Sequence, residues 1–253
     1  MICEDCTKGY ELPGEPRGTF PGGYGGAYLA PHPATKRAVV LFTDVFGFAL
    51  NNPKLLADEL ARRRPPFGTE ELEPYTSPVP GGAKRTLWGQ IKRHAFFASK
   101  IPAMYSVRPQ VFLAKIKRDR GYEIIGVVGY CFGGSLALRM TATDLIQGAV
   151  IAHPGGAPLD LVNAIKIPTI WICAEEDEQF PAEERDTAQR ALASRDAAPP
   201  HEFIIYPGTT HGFAGRPALQ YPLVKDAFES AFAKTVEFLH EVVNKGDVHS
   251  VAA

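Results

Sequence analysis

The stretch Ile124-Ile-Gly-Val-Val-Gly-Tyr-Cys-Phe-Gly-Gly134 decides the fold of this chain. It begins as an apolar run with the length of a buried strand, and it ends in a glycine-rich turn around Cys131. A helical pattern follows, with apolar residues at Leu136, Ala137, Leu138 and Met140. The sequence G-x-C-x-G between a buried strand and a helix has the form of a nucleophile elbow, with cysteine in the place of serine.

The glycines of this turn have a steric purpose. In a nucleophile elbow the reactive residue lies on a sharp, strained turn, where neighbouring side chains would collide with the adjacent strand and helix. The helix that follows directs its first backbone N–H groups and the positive end of its dipole toward the Cys131 sulfur, which favours the thiolate. A tight strand-to-helix turn that merely contains a buried cysteine is the alternative interpretation.

Strand-like and helix-like patterns alternate on both sides of the elbow. Short apolar runs predict strands over 38–43, 124–129, 148–152, 169–174 and 203–206, and periodic patterns predict helices over 53–63, 111–120, 182–194 and 223–243. This alternation predicts an α/β fold, with a mostly parallel central sheet and helices on both faces. We expect one domain over 1–253, with an irregular segment over 1–20 and a disordered tail over 245–253.

Reactive side chains follow the predicted strands. Ligands of a parallel sheet bind beyond the carboxyl ends of its strands, so residues at these positions are candidates for a site. The residues that follow the five strands include Asp44, Cys131, His153, Asp177 and His211.

Three of these residues have the chain order of a catalytic triad. A nucleophile in this architecture is followed by an acid and then by a histidine, which Cys131, Asp177 and His211 satisfy. The neighbouring Glu175, Glu176 and Glu178 leave the acid open by one or two places, but the distance from the strand end favours Asp177. A structural histidine remains the alternative for His211.

Composition and charge exclude several classes of partner. The 253 residues are 45% hydrophobic and 22% charged, with 27 Lys and Arg against 28 Asp and Glu. This balance argues against nucleic acid or an anionic membrane as a partner. No apolar run reaches 18 residues, and the start Met-Ile-Cys-Glu-Asp-Cys is acidic rather than basic, so we expect a cytoplasmic protein.

The cysteines do not predict a metal site or a disulfide framework. The chain has four of them, and Cys3 and Cys6 have a metal-like spacing. No second Cys/His pair follows to complete four tetrahedral ligands. We therefore predict no metal and no cofactor.

The chain resembles the dienelactone hydrolase family of α/β-hydrolases, in particular its eukaryotic members, from about residue 22 to the final helix. The most specific matches are Gly129-Tyr-Cys-Phe-Gly-Gly134, the Asp177 loop ahead of Phe180-Pro181, and His211-Gly-Phe-Ala214. The resemblance implies the α/β-hydrolase fold. It also implies Cys131 as nucleophile, His211 as base and Asp177 as the acid that orients the base.

Further roles follow from the same resemblance. The family places a carboxylate, normally glutamate, at the end of the first long strand, where it contacts the cysteine. The matching residue is Asp44, for which a turn or helix cap is the alternative. The backbone N–H groups of Phe132 and Val45 would form the oxyanion hole.

Several residues are candidates for contacts with the substrate. Family members hold a substrate carboxylate with arginines, and Arg216 lies one residue from the expected place of one of them. Arg85 and Arg93 remain alternatives for a second anchor. The expected pocket walls are Phe46, Phe48, Tyr130 and His153.

One departure from the family concerns the sheet. No strand-like apolar run occurs between residues 61 and 111, where family members have a strand. We therefore predict that one central strand is missing, as if a segment of roughly ten to fifteen residues, a strand and its turn, were deleted. The resemblance implies a monomer, whereas an exposed sheet edge favours association, so we expect a monomer or a weak homodimer.

Together these patterns predict a hydrolase that cleaves a small carboxylic ester or enol lactone through a Cys131 acyl-enzyme. The alternative is a catalytically impaired or non-catalytic protein of the same fold, because of the missing strand. Glutamine amidotransferases also place a cysteine in such a turn, but their acid stands two residues after the histidine, where this chain has Phe213.

Overall fold

The structure is a computed structural model, and it describes residues 10–32, 35–62 and 108–244. Its strands are β1 (Arg37–Phe42), β2 (Ile124–Tyr130), β3 (Gly148–Ala152), β4 (Thr169–Glu176) and β5 (His201–Thr210). Its α-helices are α1 (Asn52–Arg62), α2 (Pro109–Arg120), α3 (Phe132–Met140), α4 (Leu159–Asn163), α5 (Ala182–Ala193) and α6 (Pro222–Asn244), and a 3-10 turn spans Gly47–Ala49.

The five strands form one sheet in the order β1-β2-β3-β4-β5, and every neighbouring pair is parallel. The predicted α/β class and the predicted strands are confirmed. The strands β4 and β5 are longer than the apolar runs that predicted them. Their pairing is irregular between Ala174 and Glu176 and then continues to the last residue of each strand. This irregularity leads directly into the two loops that contain Asp177 and His211.

Helices cover both faces of the sheet, as predicted. Strand side chains alternate between the faces, so that Val127 packs with α2 to α5 and Val128 packs with α1 and α6. Both side chains are fully buried, as in a parallel sheet covered on both faces. On the same face of the sheet as Val127, the buried Trp171 ring stacks on the rings of Phe203 and Phe180, with centroid distances of 4.7 and 5.7 Å.

The segment before β1 binds to α1 through buried polar side chains of that helix. Asp58 accepts hydrogen bonds from the Arg17 amide at 2.7 Å and from the Tyr28 hydroxyl at 2.9 Å.

Asn52 of α1 accepts a hydrogen bond from the Leu12 amide at 2.9 Å and donates hydrogen bonds to the carbonyls of Tyr10 and Gly215. Since Gly215 precedes Arg216, Asn52 connects this segment to the loop after β5.

The predicted missing strand concerns residues 63–107, which lie outside the described residues. β1 hydrogen-bonds directly to β2 from Arg37 to Phe42, so no strand lies between these two. Arg85, Arg93, Cys3, Cys6 and the predicted tail over 245–253 also lie outside the described residues. Within the described ranges, no helix combines the length and the apolar character needed to cross a bilayer.

Candidate active site

The turn between β2 and α3 has the strained geometry expected of a nucleophile elbow. Cys131 has φ 55° and ψ −117°, a backbone conformation that residues other than glycine rarely adopt, and it is 4% exposed. A Cβ atom on Gly129 would lie 2.0 Å from the Gly133 carbonyl oxygen, and one on Gly133 would lie 2.1 Å from the Phe42 carbonyl oxygen. The steric purpose predicted for these glycines is confirmed.

The backbone of Cys131 is hydrogen-bonded to the end of β3 and to the loop that follows it. The Cys131 amide donates a hydrogen bond to the carbonyl of Ala152 at 3.0 Å, and the Gly155 amide donates to the carbonyl of Cys131 at 3.3 Å. The loop over 153–155 therefore wraps around the elbow. The helix α3 begins at Phe132, so Cys131 is its N-cap residue and directly precedes its first N–H groups.

His211 and Asp177 form a buried pair at the ends of β5 and β4. The His211 Nδ1 lies 2.8 Å from Oδ1 and 2.9 Å from Oδ2 of Asp177, and the two side chains are 0% and 2% exposed. The amides of Gln179 and Phe180 donate to the same Oδ1 at 2.8 and 3.1 Å. Asp177, rather than a neighbouring glutamate, is thus the carboxylate that contacts Nδ1 of the His211 ring.

His153 completes this cluster, although the sequence assigned it only to the pocket wall. It follows β3 with φ 32° and is 1% exposed. Its ring centroid lies 5.0 Å from that of His211, 5.9 Å from Phe213 and 6.1 Å from Tyr130. Its position after a strand end was the available signal for a chemical role, since Asp44, Cys131, Asp177 and His211 occupy equivalent positions.

Burial lowers the pKa of His153 well below its ordinary value, and the nearby His211 and Arg216 act in the same direction. The ring approaches its own backbone, and this contact has a small opposing effect on the pKa. His153 is therefore neutral when folded over the pH range in which an exposed histidine titrates.

We predict an acid sensitivity from this residue. The unfolded chain binds a proton at His153 below about pH 6.5 and the folded chain does not, so the free energy of unfolding decreases as the pH falls through that value. One such histidine lowers the free energy of unfolding by about 1 kcal/mol between pH 6.5 and 5.5. Urea unfolding at several pH values should show a shallower decrease for His153→Phe than for the wild type. Equal pH slopes for the two proteins would contradict the prediction.

Asp44 lies at the end of β1 in a buried ion pair. Its Oδ2 accepts a hydrogen bond from Arg216 Nε at 2.6 Å, and its Oδ1 accepts one from the Phe46 amide at 2.9 Å. The Arg216 guanidinium also lies 4.7 Å from the centre of the Phe46 ring. The structure thus shows the turn cap that was the alternative role of Asp44, and it joins Asp44 to the predicted carboxylate anchor.

The predicted oxyanion-hole residues border one hollow beside the elbow. Val45, Phe132, Phe46 and Phe48 all line it. Tyr130 lies elsewhere, lining a small pocket with Asp44 and Arg216, and burial raises the pKa of its hydroxyl. In the described part of the chain, no group of three or more His, Cys, Asp or Glu side chains has the geometry of a metal site.

Comparison with known proteins identifies the family. A model of the dienelactone hydrolase family matches residues 88–243, which is more than half of the chain. The chain belongs to the dienelactone hydrolase family. The predicted family is therefore confirmed, and so is its class, a hydrolase that acts on an ester or lactone.

Individual relatives match over most of their length. Hydrolase tropI of Talaromyces stipitatus is 26% identical over 248 residues, covering 95% of this chain and 96% of that protein. A carboxymethylenebutenolidase homolog of Xenopus tropicalis is 28% identical, covering 86% and 87%. A solved structure from Klebsiella pneumoniae, assigned provisionally as a dienelactone hydrolase, has a TM-score of 0.51 at 17% identity, covering 81% and 89%. This last likeness confirms the fold.

Proposed function

We propose that the protein hydrolyses a small carboxylic ester or enol lactone through an acyl-enzyme on Cys131. The observation that supports this most is the buried His211–Asp177 pair, at the same edge of the sheet as the strained cysteine. The loop after β3 connects the two, because it is hydrogen-bonded to Cys131 and presents the His153 ring to His211.

The first half-reaction forms a thioester. The Cys131 thiolate attacks the carbonyl carbon, and the carbonyl oxygen becomes an oxyanion that accepts hydrogen bonds from the amides of Phe132 and Val45. The bond from carbon to the leaving oxygen then breaks, and His211 supplies a proton to that oxygen. Enol lactones suit a thiolate nucleophile, because an enolate is a better leaving group than the alkoxide of an ordinary ester.

The second half-reaction consumes water. His211 Nε2 removes one proton as the water oxygen bonds to the thioester carbon, and Asp177 holds the ring in position through Nδ1. The carbon–sulfur bond breaks, which returns the Cys131 thiolate and releases a carboxylic acid. No group other than water is consumed.

We also propose that Arg216 binds a carboxylate of the substrate. Its guanidinium is already paired with the carboxylate of Asp44, so a substrate carboxylate would compete with Asp44 for the same cation. The name of the Xenopus tropicalis relative, a carboxymethylenebutenolidase homolog, supports a lactone among the substrates of this chain. The cytosolic location and the monomeric or weakly dimeric state stay predictions.

The experiment is hydrolysis of a dienelactone, followed by ultraviolet absorbance, with p-nitrophenyl acetate as a second substrate. We expect turnover of at least the aryl ester and a stoichiometric release of p-nitrophenol as the acyl-enzyme forms. A protein that unfolds cooperatively on heating but hydrolyses neither compound would support the impaired, non-catalytic alternative.

Asp177→Asn tests the orienting acid. The amide presents an N–H group to His211 Nδ1 and favours the wrong tautomer, so we expect kcat to fall by about 10³-fold with little change in stability. The variant's rate on p-nitrophenyl acetate is compared with that of Glu178→Gln, the matching change one residue away in an exposed side chain. Equal rates for the two variants would remove Asp177 from the mechanism.

A further inference from the structure

His153 has two features that cost stability and that packing does not explain. Both of its ring nitrogens are buried, and neither makes a hydrogen bond of acceptable geometry with any described residue. Its φ of 32° lies in the region that residues other than glycine rarely adopt. A phenylalanine or leucine would pack among Tyr130 and Phe213 without an unsatisfied polar group. A buried polar group without a partner, on a strained backbone at a reactive centre, indicates a ligand that is bound during function.

The position of His153 after β3 indicates which ligand atom its ring would contact. β2 lies between β1 and β3, so the loops after β1 and β3 flank Cys131 on opposite sides. Val45, one of the proposed oxyanion donors, follows β1. His153 follows β3, on the side where its ring contacts that of His211. The atom it meets is therefore the one that exchanges a proton with His211.

That atom is the oxygen of the leaving group in the first half-reaction and the oxygen of water in the second. A neutral imidazole without a protein partner offers one donor and one acceptor nitrogen. The His153 and His211 rings are neighbours, with centroids 5.0 Å apart, so a water bound at a nitrogen of one ring would lie beside the other ring. A water bound by two acceptors has both of its hydrogens fixed and directs a lone pair at the thioester carbon.

We propose that His153 is a second catalytic histidine that binds the hydrolytic water. One ring nitrogen of His153 accepts one hydrogen of the water while His211 Nε2 accepts the other and removes it. The water oxygen bonds to the acyl carbon and the bond to the Cys131 sulfur breaks. The hydrogen held by His153 stays on the oxygen and leaves with the carboxylic acid product.

The neutral state of the ring supports this role, since a doubly protonated imidazole has no acceptor. The groups that face it are His211 and Arg216 on the loop after β5 and the Tyr130 ring of β2. Arg216, and His211 when it is protonated, disfavour a proton on His153. The acceptor is thus retained while His211 cycles between its two protonation states.

This inference rests on the proposed function, and rapid mixing with p-nitrophenyl acetate separates the two. The burst of p-nitrophenol reports acylation, and the steady rate that follows reports deacylation. In His153→Phe, which keeps a ring of similar size, we expect the burst rate to change less than threefold and deacylation to fall by about 10- to 100-fold. Hydroxylamine, a strong nucleophile that does not depend on a positioned water, should restore much of the lost turnover.

Several outcomes overturn the assignment. A wild-type protein that shows neither a burst nor an acetyl group on Cys131 by mass spectrometry contradicts the acyl-enzyme itself and with it the role of His153. A normal wild-type burst with unchanged deacylation in His153→Phe contradicts His153 alone. An equal fall in acylation and deacylation identifies a packing role, in which the variant displaces His211. If the phenylalanine variant fails to fold, His153→Leu also lacks both nitrogens and gives the same test.

Discussion

Cys131→Ala is expected to lose at least about 10⁴-fold in kcat/KM on p-nitrophenyl acetate, because it removes the thiol on which we propose that the acyl-enzyme forms. The residual rate would come from substrate binding and from the amides of Phe132 and Val45. The fold should tolerate the change, since alanine is close in size to cysteine. The close backbone contacts at the neighbouring glycines of the elbow stay as they are. The measurement is the initial rate, made with protein whose melting temperature is compared with that of the wild type.

Cys173→Ala is the matched control. Cys173 is also a buried thiol, on β4, but burial raises its pKa to about 12, so it is protonated at neutral pH. We expect this variant to keep near wild-type kcat/KM. Alkylation by iodoacetamide, mapped by mass spectrometry, should modify Cys131 in step with the loss of activity and leave Cys173 unmodified. Wild-type activity in the Cys131→Ala variant would exclude the acyl-enzyme.

The sheet and the nucleophile turn could be predicted from the sequence because both depend on local patterns. Apolar runs of strand length placed β1 to β5, and the glycines around Cys131 follow from contacts that are made within the same strand-turn-helix unit. Parallel strands then bring their carboxyl ends together whatever the details of their loops. This rule places Asp177 and His211 at one edge, although 34 residues separate them.

The surroundings of the Asp44 and His153 side chains could not be predicted in the same way. Asp44 and Arg216 are 172 residues apart, and either side chain alone fits an exposed turn or surface. Their pairing depends on the path of the loop after β5, which no local pattern describes. His153 follows an ordinary strand end, and the sequence contains no sign that its nitrogens are buried without a hydrogen-bond partner among the described residues. Unsatisfied groups become visible only when all neighbours are in place.

Gly133→Ala is expected to destabilise the protein strongly. A Cβ atom there would lie 2.1 Å from the carbonyl oxygen of Phe42 and 2.6 Å from that of Thr43, and both are backbone atoms of the β1 end. These atoms cannot move aside as a side chain would, so α3 and β1 must separate. We expect a loss of about 3 kcal/mol or more in the free energy of unfolding and a melting temperature lower by about 10 °C.

Gly155→Ala is the control for this substitution. Gly155 lies in the loop that wraps the elbow, but its nearest atom to an added Cβ is the Ser135 hydroxyl at 3.6 Å, an ordinary contact, and its φ is not in the left-handed region. We expect its melting temperature to stay within a few degrees of the wild type. Similar melting temperatures for Gly133→Ala and Gly155→Ala would mean that the close approach of α3 to β1 is not required.

The Gly133 contact also links stability to chemistry. Phe42 and Thr43 lie just before Asp44 and Val45, so the distance between α3 and the β1 end sets the separation of the two proposed oxyanion donors, the amides of Phe132 and Val45. Any Gly133→Ala protein that still folds should therefore show a lower kcat on p-nitrophenyl acetate, by about 10²-fold or more, as expected for one displaced oxyanion donor. Full activity in a folded Gly133→Ala protein would place the oxyanion donors elsewhere.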